Sequence, residues 1–112
     1  MKIINQTLTL AELKDLAATR FGDMIKGVVD IEKKILAVDA ELHADLEALL
    51  LKEGSKQVNL WGINLYPQKM GEDFIEFDSM INVRPSQGNR SRGVDNEALR
   101  EAIIKLIHLR IK

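Results

Sequence analysis

Cysteine is absent from this chain of 112 residues. That excludes disulfides, thiolate catalysis and cysteine metal sites. A surplus of either charge is missing too: 16 basic residues stand against 17 acidic ones, for a formal net charge of −1. Non-specific nucleic-acid binding draws on a broad basic field, which this chain lacks. A local patch can still take a phosphate group. So small a net charge gives little repulsion between copies, and self-association becomes easier. No apolar run approaches the length of a membrane span. The opening "MKIINQTLTL" has neither a long apolar stretch nor a small-residue cleavage site. The expectation is therefore no signal peptide, no membrane partner and a soluble cytoplasmic protein. There is no internal repeat and no low-complexity segment.

What is present suits one domain spanning residues 1–112. Hydrophobic residues make up 46% of the chain, enough for a real core, and charged residues 29%. Thr9 and Glu12 form a capping-box pattern, with Leu8 and Leu13 at the staple positions around it. Leu10, Leu13, Leu16 and Ala17 recur at helical spacing. Gly22 is a natural stop for that helix.

The middle of the chain offers a choice. "AELHADLEALLLKEG" is rich in leucine and alanine, which favour helix. Yet Glu41 to Ala48 alternates polar and apolar, and the preceding "VVDIEKKILAV" is β-branched. A tight turn at Asp39-Ala40 sets Ala37 opposite Leu42, Ile35 opposite Ala44 and Val29 opposite Leu50. A second turn at Gly54-Ser55 sets Ala48 opposite Trp61 and Leu46 opposite Ile63. Both registers keep the apolar face consistent, so the spacing predicts strands here. A fourth strand follows in "DFIEFDSMINVRP". The last helix starts near Asp95 as N-cap. Its Ala98, Leu99, Ala102, Ile103, Leu106 and Leu109 line one stripe; Ile104, Ile107 and Ile111 line another. The expected fold is a two-layer α+β domain: a four-stranded antiparallel meander with both terminal helices on its apolar face (α-β-β-β-β-α). Trp61 and Phe77 fall on the core face by strand parity.

Several segments carry a resemblance: "VVDIEK", "ELHAD", "ALLL" before Gly54, "LWGINLYP" and "EFDSMINVRPSQGNRSRGV". Together they resemble a family of short bacterial and archaeal proteins catalogued as a domain of unknown function. The resemblance covers most of the chain. It implies a compact prokaryotic single-domain protein and brings no activity, substrate or catalytic residue with it.

Two regions could carry chemistry. In "RPSQGNRSRG", Arg84, Arg90 and Arg92 sit among Ser86, Asn89 and Ser91, without an acid. Guanidinium groups bind phosphate through paired donors, serine and backbone N–H groups add more, and the loop leads into a helix N-terminus. The other reading is a solvated connection whose arginines pair with acids of the sheet. The second region is the polar sheet face, where the predicted register brings His43, Asp45, Glu76 and Asp78 together with Asn64 and Tyr66. Such a set could do acid–base work or hold a cation, although no metal-ligand spacing occurs. The other reading there is a wet outer sheet face. Arg84 shares this face with Glu76 and Asp78, so the two regions could be one.

Three functions follow. The leading one is binding of a phosphate-bearing ligand, a nucleotide or RNA, by residues 84–93. The second is a small hydrolase using His43, Asp45, Glu76 and Asp78. The third is self-association through Ile104, Ile107 and Ile111, giving a homo-oligomer. Nothing in the sequence names a cofactor or decides whether the protein is an enzyme.

Overall fold

The computed structural model describes every residue from Met1 to Lys112. The elements in chain order are β1 (Lys2–Ile4), α1 (Leu10–Ala18), β2 (Ile25–Asp30), β3 (Ile35–Val38), α2 (His43–Lys52), β4 (Leu60–Leu65), β5 (Ile75–Glu76) and α3 (Glu97–Arg110). The five strands form one sheet in the order β1-β3-β2-β4-β5, every neighbouring pair antiparallel. The α+β class and the antiparallel sheet are as expected. No helix is long and apolar enough to cross a membrane.

The first helix forms for the predicted reasons. The Thr9 hydroxyl accepts from the Glu12 N–H at 3.1 Å, and the Glu12 carboxylate accepts from the Thr9 N–H at 3.1 Å. Leu8 and Leu13 are both buried at the staple positions. Gly22, at φ 92°, donates its N–H to the Ala17 carbonyl at 2.8 Å and closes the helix.

The expected strand over residues 41–50 is instead α2. The alternation was a coincidence of composition, since Leu42, Ala44 and Ala48 face solvent. What counts is the helical spacing of His43, Leu46 and Leu50, all buried. Helix propensity of the leucines and alanines prevails. Gly54 does adopt positive φ, at 98°, but as a helix terminator rather than a hairpin turn. The Ser55 N–H bonds back to the Leu50 carbonyl at 2.9 Å, the Schellman closure.

The pairings proposed with residues 41–50 are therefore replaced. The segment read as one strand, "VVDIEKKILAV", is itself a hairpin: Val29 pairs with Leu36 and Val28 with Ala37. Asp30 makes its turn, its Oδ1 accepting from the N–H groups of Glu32 (2.9 Å) and Lys33 (3.0 Å). The Ser55 hydroxyl, arriving from the end of α2, holds the other Asp30 oxygen at 2.6 Å. β4 then pairs with β2, Trp61 opposite Val29 and Ile63 opposite Gly27.

This register gives the sheet two apolar faces. Ile25, Val29, Leu36, Ile63 and Leu65 point to one side, under α1 and α3, and meet Leu13, Ala17, Ile103 and Ile107. Val28, Ala37 and Leu60 point to the other and meet Leu46 and Leu50 of α2. The arrangement has three layers, not two, because the extra helix covers the face expected to be wet. Trp61 is buried on the α1/α3 side and Phe77 packs partly buried against the same core.

Two further expectations change. The last helix is capped by Asn96, whose side chain accepts from the Leu99 N–H at 2.9 Å, and not by Asp95. The fourth strand shrinks to Ile75–Glu76. Beyond it the edge of β4 is covered by side chains rather than by a strand.

Candidate functional site

The arginine loop is a built turn. Arg84 is buried: one Nη donates to the Gln57 carbonyl at 2.6 Å and the other to the Leu60 carbonyl. Its guanidinium lies over the Trp61 ring, 4.1 Å from the centroid. Burial pushes its pKa down, opposed by the Glu47 carboxylate. Arg84 therefore ties the loop to β4 and does not continue the polar face. Asn89 is buried as well. Its amide donates to the carbonyls of Asn82 (2.8 Å) and Gly93 (2.8 Å), and its oxygen accepts from the Asp95 N–H (2.8 Å). Gly88, at φ 79°, turns the chain between them. The Ser91 hydroxyl donates to Asp95 at 2.5 Å, and the Arg90 N–H donates to its second oxygen at 3.0 Å. These two bonds hold the Asp95 carboxyl below its usual range, the hydroxyl most of all. Ser86 and Arg90 lie exposed on the loop.

Arg92 has a different position. Its Nε donates to Asp78 Oδ1 at 2.6 Å, which fixes the plane of the guanidinium. Both Nη groups stay free of protein partners. Arg92 thereby joins the loop to the polar sheet end, so the two predicted regions do meet, through Arg92 and Asp78 rather than through Arg84.

They meet at a pocket of about 380 Å³ between the start of α2, the end of β2 and β4, and the segment 76–81. His43, Asn64, Glu76, Asp78 and Arg92 line it, with Lys26, Met24, Leu42 and Met80. Asn64 and His43 are buried, at 5% and 7% exposure, and form the base. Leu42 and Met80 stand exposed at the rim. Asp45, expected with this group, lies elsewhere beside Arg20 and Lys52, because a helix turns it away where a strand would not. Lys26 and Met24 were not anticipated. Lys26 could have been found from the alternation of β2 once the true hairpin was known.

The start of α2 faces this pocket without a cap. Its N-cap position is Leu42, which has no acceptor, and the N–H groups of His43 and Ala44 find no partner in the protein. Asp45, in the first turn, is turned away. The Lys26 ammonium makes no hydrogen bond and no ion pair; its nearest aromatic contact is the Phe21 ring, 5.6 Å from the centroid.

His43 has a defined tautomer. Its Nε2 lies 2.8 Å from the Ile63 carbonyl, which only accepts, so Nε2 carries the proton. Nδ1 accepts no bond from the protein, and in the protonated ring it would donate to the Asn64 side chain beside it. Burial pushes the ring pKa down; the Ile63 carbonyl opposes this, Lys26 adds to it, and Asn64 and Asp78 oppose it. Each carboxylate is engaged through one oxygen. Glu76 Oε1 accepts from Asn64 Nδ2 at 2.9 Å and from the Tyr66 hydroxyl at 3.1 Å. Tyr66 has its pKa raised by burial first and by this bond second. Asn64 Nδ2 also donates to the Asp78 carbonyl at 3.2 Å, which fixes the amide orientation and leaves Oδ1 buried without a partner. No three His, Asp or Glu side chains come together as a metal-ligand set.

The isoleucine stripe is not an exposed surface. Ile107 and Ile111 are buried and Ile104 packs partly buried against the same core. Leu8 covers this end through backbone bonds with Arg110 (2.7 Å) and Lys112 (2.9 Å). The second stripe is thus accounted for inside one chain.

A family described as proteins of unknown function, DUF5674, matches residues 2–110. The chain belongs to that family. No curated protein and no solved structure matches it. The DUF5674 match spans β1 to the end of α3 and so takes in every residue of the pocket.

Proposed function

We propose that this protein binds a small phosphate-bearing molecule in the pocket between α2 and Arg92. One observation carries the reading: the hydrogen-bond donors at the mouth are free, while each acid beside them is engaged through one oxygen, Glu76 by Asn64 and Tyr66 and Asp78 by Arg92. The free donors are the Arg92 Nη groups, the Lys26 ammonium and the N–H groups of His43 and Ala44. An uncapped helix start favours an anion by its partial positive charge, and a guanidinium matches phosphate geometry. Asp78 acts as a positioning residue: it takes Nε and so presents both Nη groups outward. The volume is at the small end for ligand pockets, which fits a small molecule better than an RNA chain.

Loop residues 84–93 contribute to this reading through Arg92. Arg84, Asn89 and Ser91 support the loop from within, since their polar atoms serve the fold. The test is a calorimetric titration with inorganic phosphate, ribose 5-phosphate and adenosine monophosphate. Saturable binding that weakens at least about tenfold in Arg92→Gln and in Lys26→Gln is expected, the loss of one charge-assisted contact each. Unchanged binding in both variants, or no binding by any of the three compounds, would overturn the reading.

A further inference from the structure

We infer that the groove between α3 and the outer edge of β5 docks an extended, basic segment of a partner polypeptide. The groove has a volume of about 630 Å³ and shares no lining residue with the phosphate pocket. Its floor is apolar: Ile75, Phe77 and Ile104 line it and pack on the core below. One wall is α3, where Glu97, Glu101, Ile104 and His108 recur at helical spacing and so share a face. From Glu97 to His108 that face runs about 16 Å, at about 1.5 Å per residue. About five residues of extended chain cover this length. The other wall is β5, an edge strand of the sheet. Asn64 pairs with Glu76, and the Tyr66 N–H donates to the Phe74 carbonyl at 2.9 Å. Ile75, between them, therefore turns its N–H and C=O outward. An outward donor and acceptor on an edge strand are the groups an added strand takes.

Charge selects the partner. Glu72 from one wall and Glu97 and Glu101 from the other stand exposed at the rim. None of them is in an ion pair; those of the protein join Met1 and Arg20 to Asp39, and Arg92 to Asp78. Arg100 is turned instead to the chain before α3, where its Nη1 donates to the Val94 carbonyl at 2.5 Å. Unpaired carboxylates above an apolar floor complement a strand that alternates basic and apolar side chains. The period of two sets the apolar ones on the floor and the basic ones at the rim. The same carboxylates repel a nucleic acid. They also disfavour a second copy of this chain, because a two-fold contact here would set acid rim against acid rim.

The experiment is an amide NMR titration of the full chain with three end-capped peptides of about six residues, long enough to fill the groove. They alternate lysine with valine, lysine with serine, and glutamate with valine. The lysine–valine peptide is expected to shift the amides of Ile75, Phe77 and Glu101 saturably. Its affinity should fall about fivefold or more when Glu72→Gln and Glu101→Gln are combined, the loss of two rim charges. Both positions are exposed and outside any ion pair, so the variant keeps its fold. The lysine–serine peptide should bind more weakly, and the glutamate–valine peptide not at all. The inference is overturned by no saturable shift with the lysine–valine peptide, by unchanged affinity in the double variant, or by equal binding of the glutamate–valine peptide. Equal binding of the lysine–serine peptide overturns it too, since charge alone would then suffice. Shifts at the same amides that grow with protein concentration, without peptide, would put a second copy in the groove and overturn it as well.

Discussion

The side chain of Asn82 stands in for a strand beside Gly62. Its Oδ1 accepts from the Gly62 N–H at 2.8 Å and its Nδ2 donates to the Gly62 carbonyl at 2.9 Å. Gly62 leaves room for this: a Cβ there would lie 2.6 Å from both Cβ and Oγ of Ser79. The free edge of β4 is thus closed by an amide, and the segment 79–82 stays irregular and frames the pocket. Asn82→Ala should orphan two buried backbone groups and destabilise the protein by about 3 kcal/mol, at about 1–3 each. Chemical denaturation measures this; a loss under about 0.5 kcal/mol would mean that the amide is replaceable by water.

Arg84 and Arg92 should separate cleanly. Arg84→Lys loses the fork that takes the Gln57 and Leu60 carbonyls, and much of the stacking on Trp61. A loss of about 2–3 kcal/mol in stability is expected, with ligand affinity unchanged in the folded fraction. Arg92→Gln should do the reverse, since Arg92 is exposed and its pair with Asp78 is a surface one. Parallel thermal melts and titrations of the two variants check the contrast. Equal effects of both on affinity would contradict it.

Gly54→Ala should cost about 1 kcal/mol or more, because only glycine adopts its φ without strain. The φ is 98°. The added Cβ would meet only the flexible Lys33 ammonium, at 3.3 Å, so the penalty is conformational rather than steric. A melt that matches wild type would show that α2 does not depend on this terminator.

The buried His43 predicts a pH response. Its folded pKa lies below the ordinary value, so between the two the unfolded chain binds more protons and stability rises with pH. The His43 contribution is fully present above about pH 6.5 and is lost as pH falls towards the folded value. Lys26 pushes in the same direction and Asp78 in the opposite one. The difference in melting temperature between wild type and His43→Gln, followed from pH 8 to pH 5, should shrink or invert on acidification. A difference that does not vary with pH would contradict the burial of a neutral ring.

How much of this was legible in the sequence depends on the kind of signal. The start of α1 rests on two residues only three positions apart, Thr9 and Glu12, and local chemistry fixed it. Gly54 announced a positive φ correctly, but a hairpin turn and a helix terminator make the same demand, so it could not choose between strand and helix for 43–52. Alternation misled there because three of its apolar positions are merely exposed. The short β5 had no signal at all, since Asn82 and Arg84 replace strand bonds with side-chain bonds made far along the chain. His43, Glu76 and Asp78 do share a pocket, as expected, yet His43 reaches it from a helix start. The expectation had the right neighbours from the wrong element, and Asp45 shows the difference.

The uncapped start of α2 and Arg92 should respond to a phosphate ligand as one site. The most direct measurement is backbone amide NMR during titration with ribose 5-phosphate. The amides of His43 and Ala44 are expected to shift together with the Arg92 side chain, while those of Ser86 and Gly88 on the outer loop stay in place. Shifts confined to residues 86–91, with His43 and Ala44 unmoved, would contradict it.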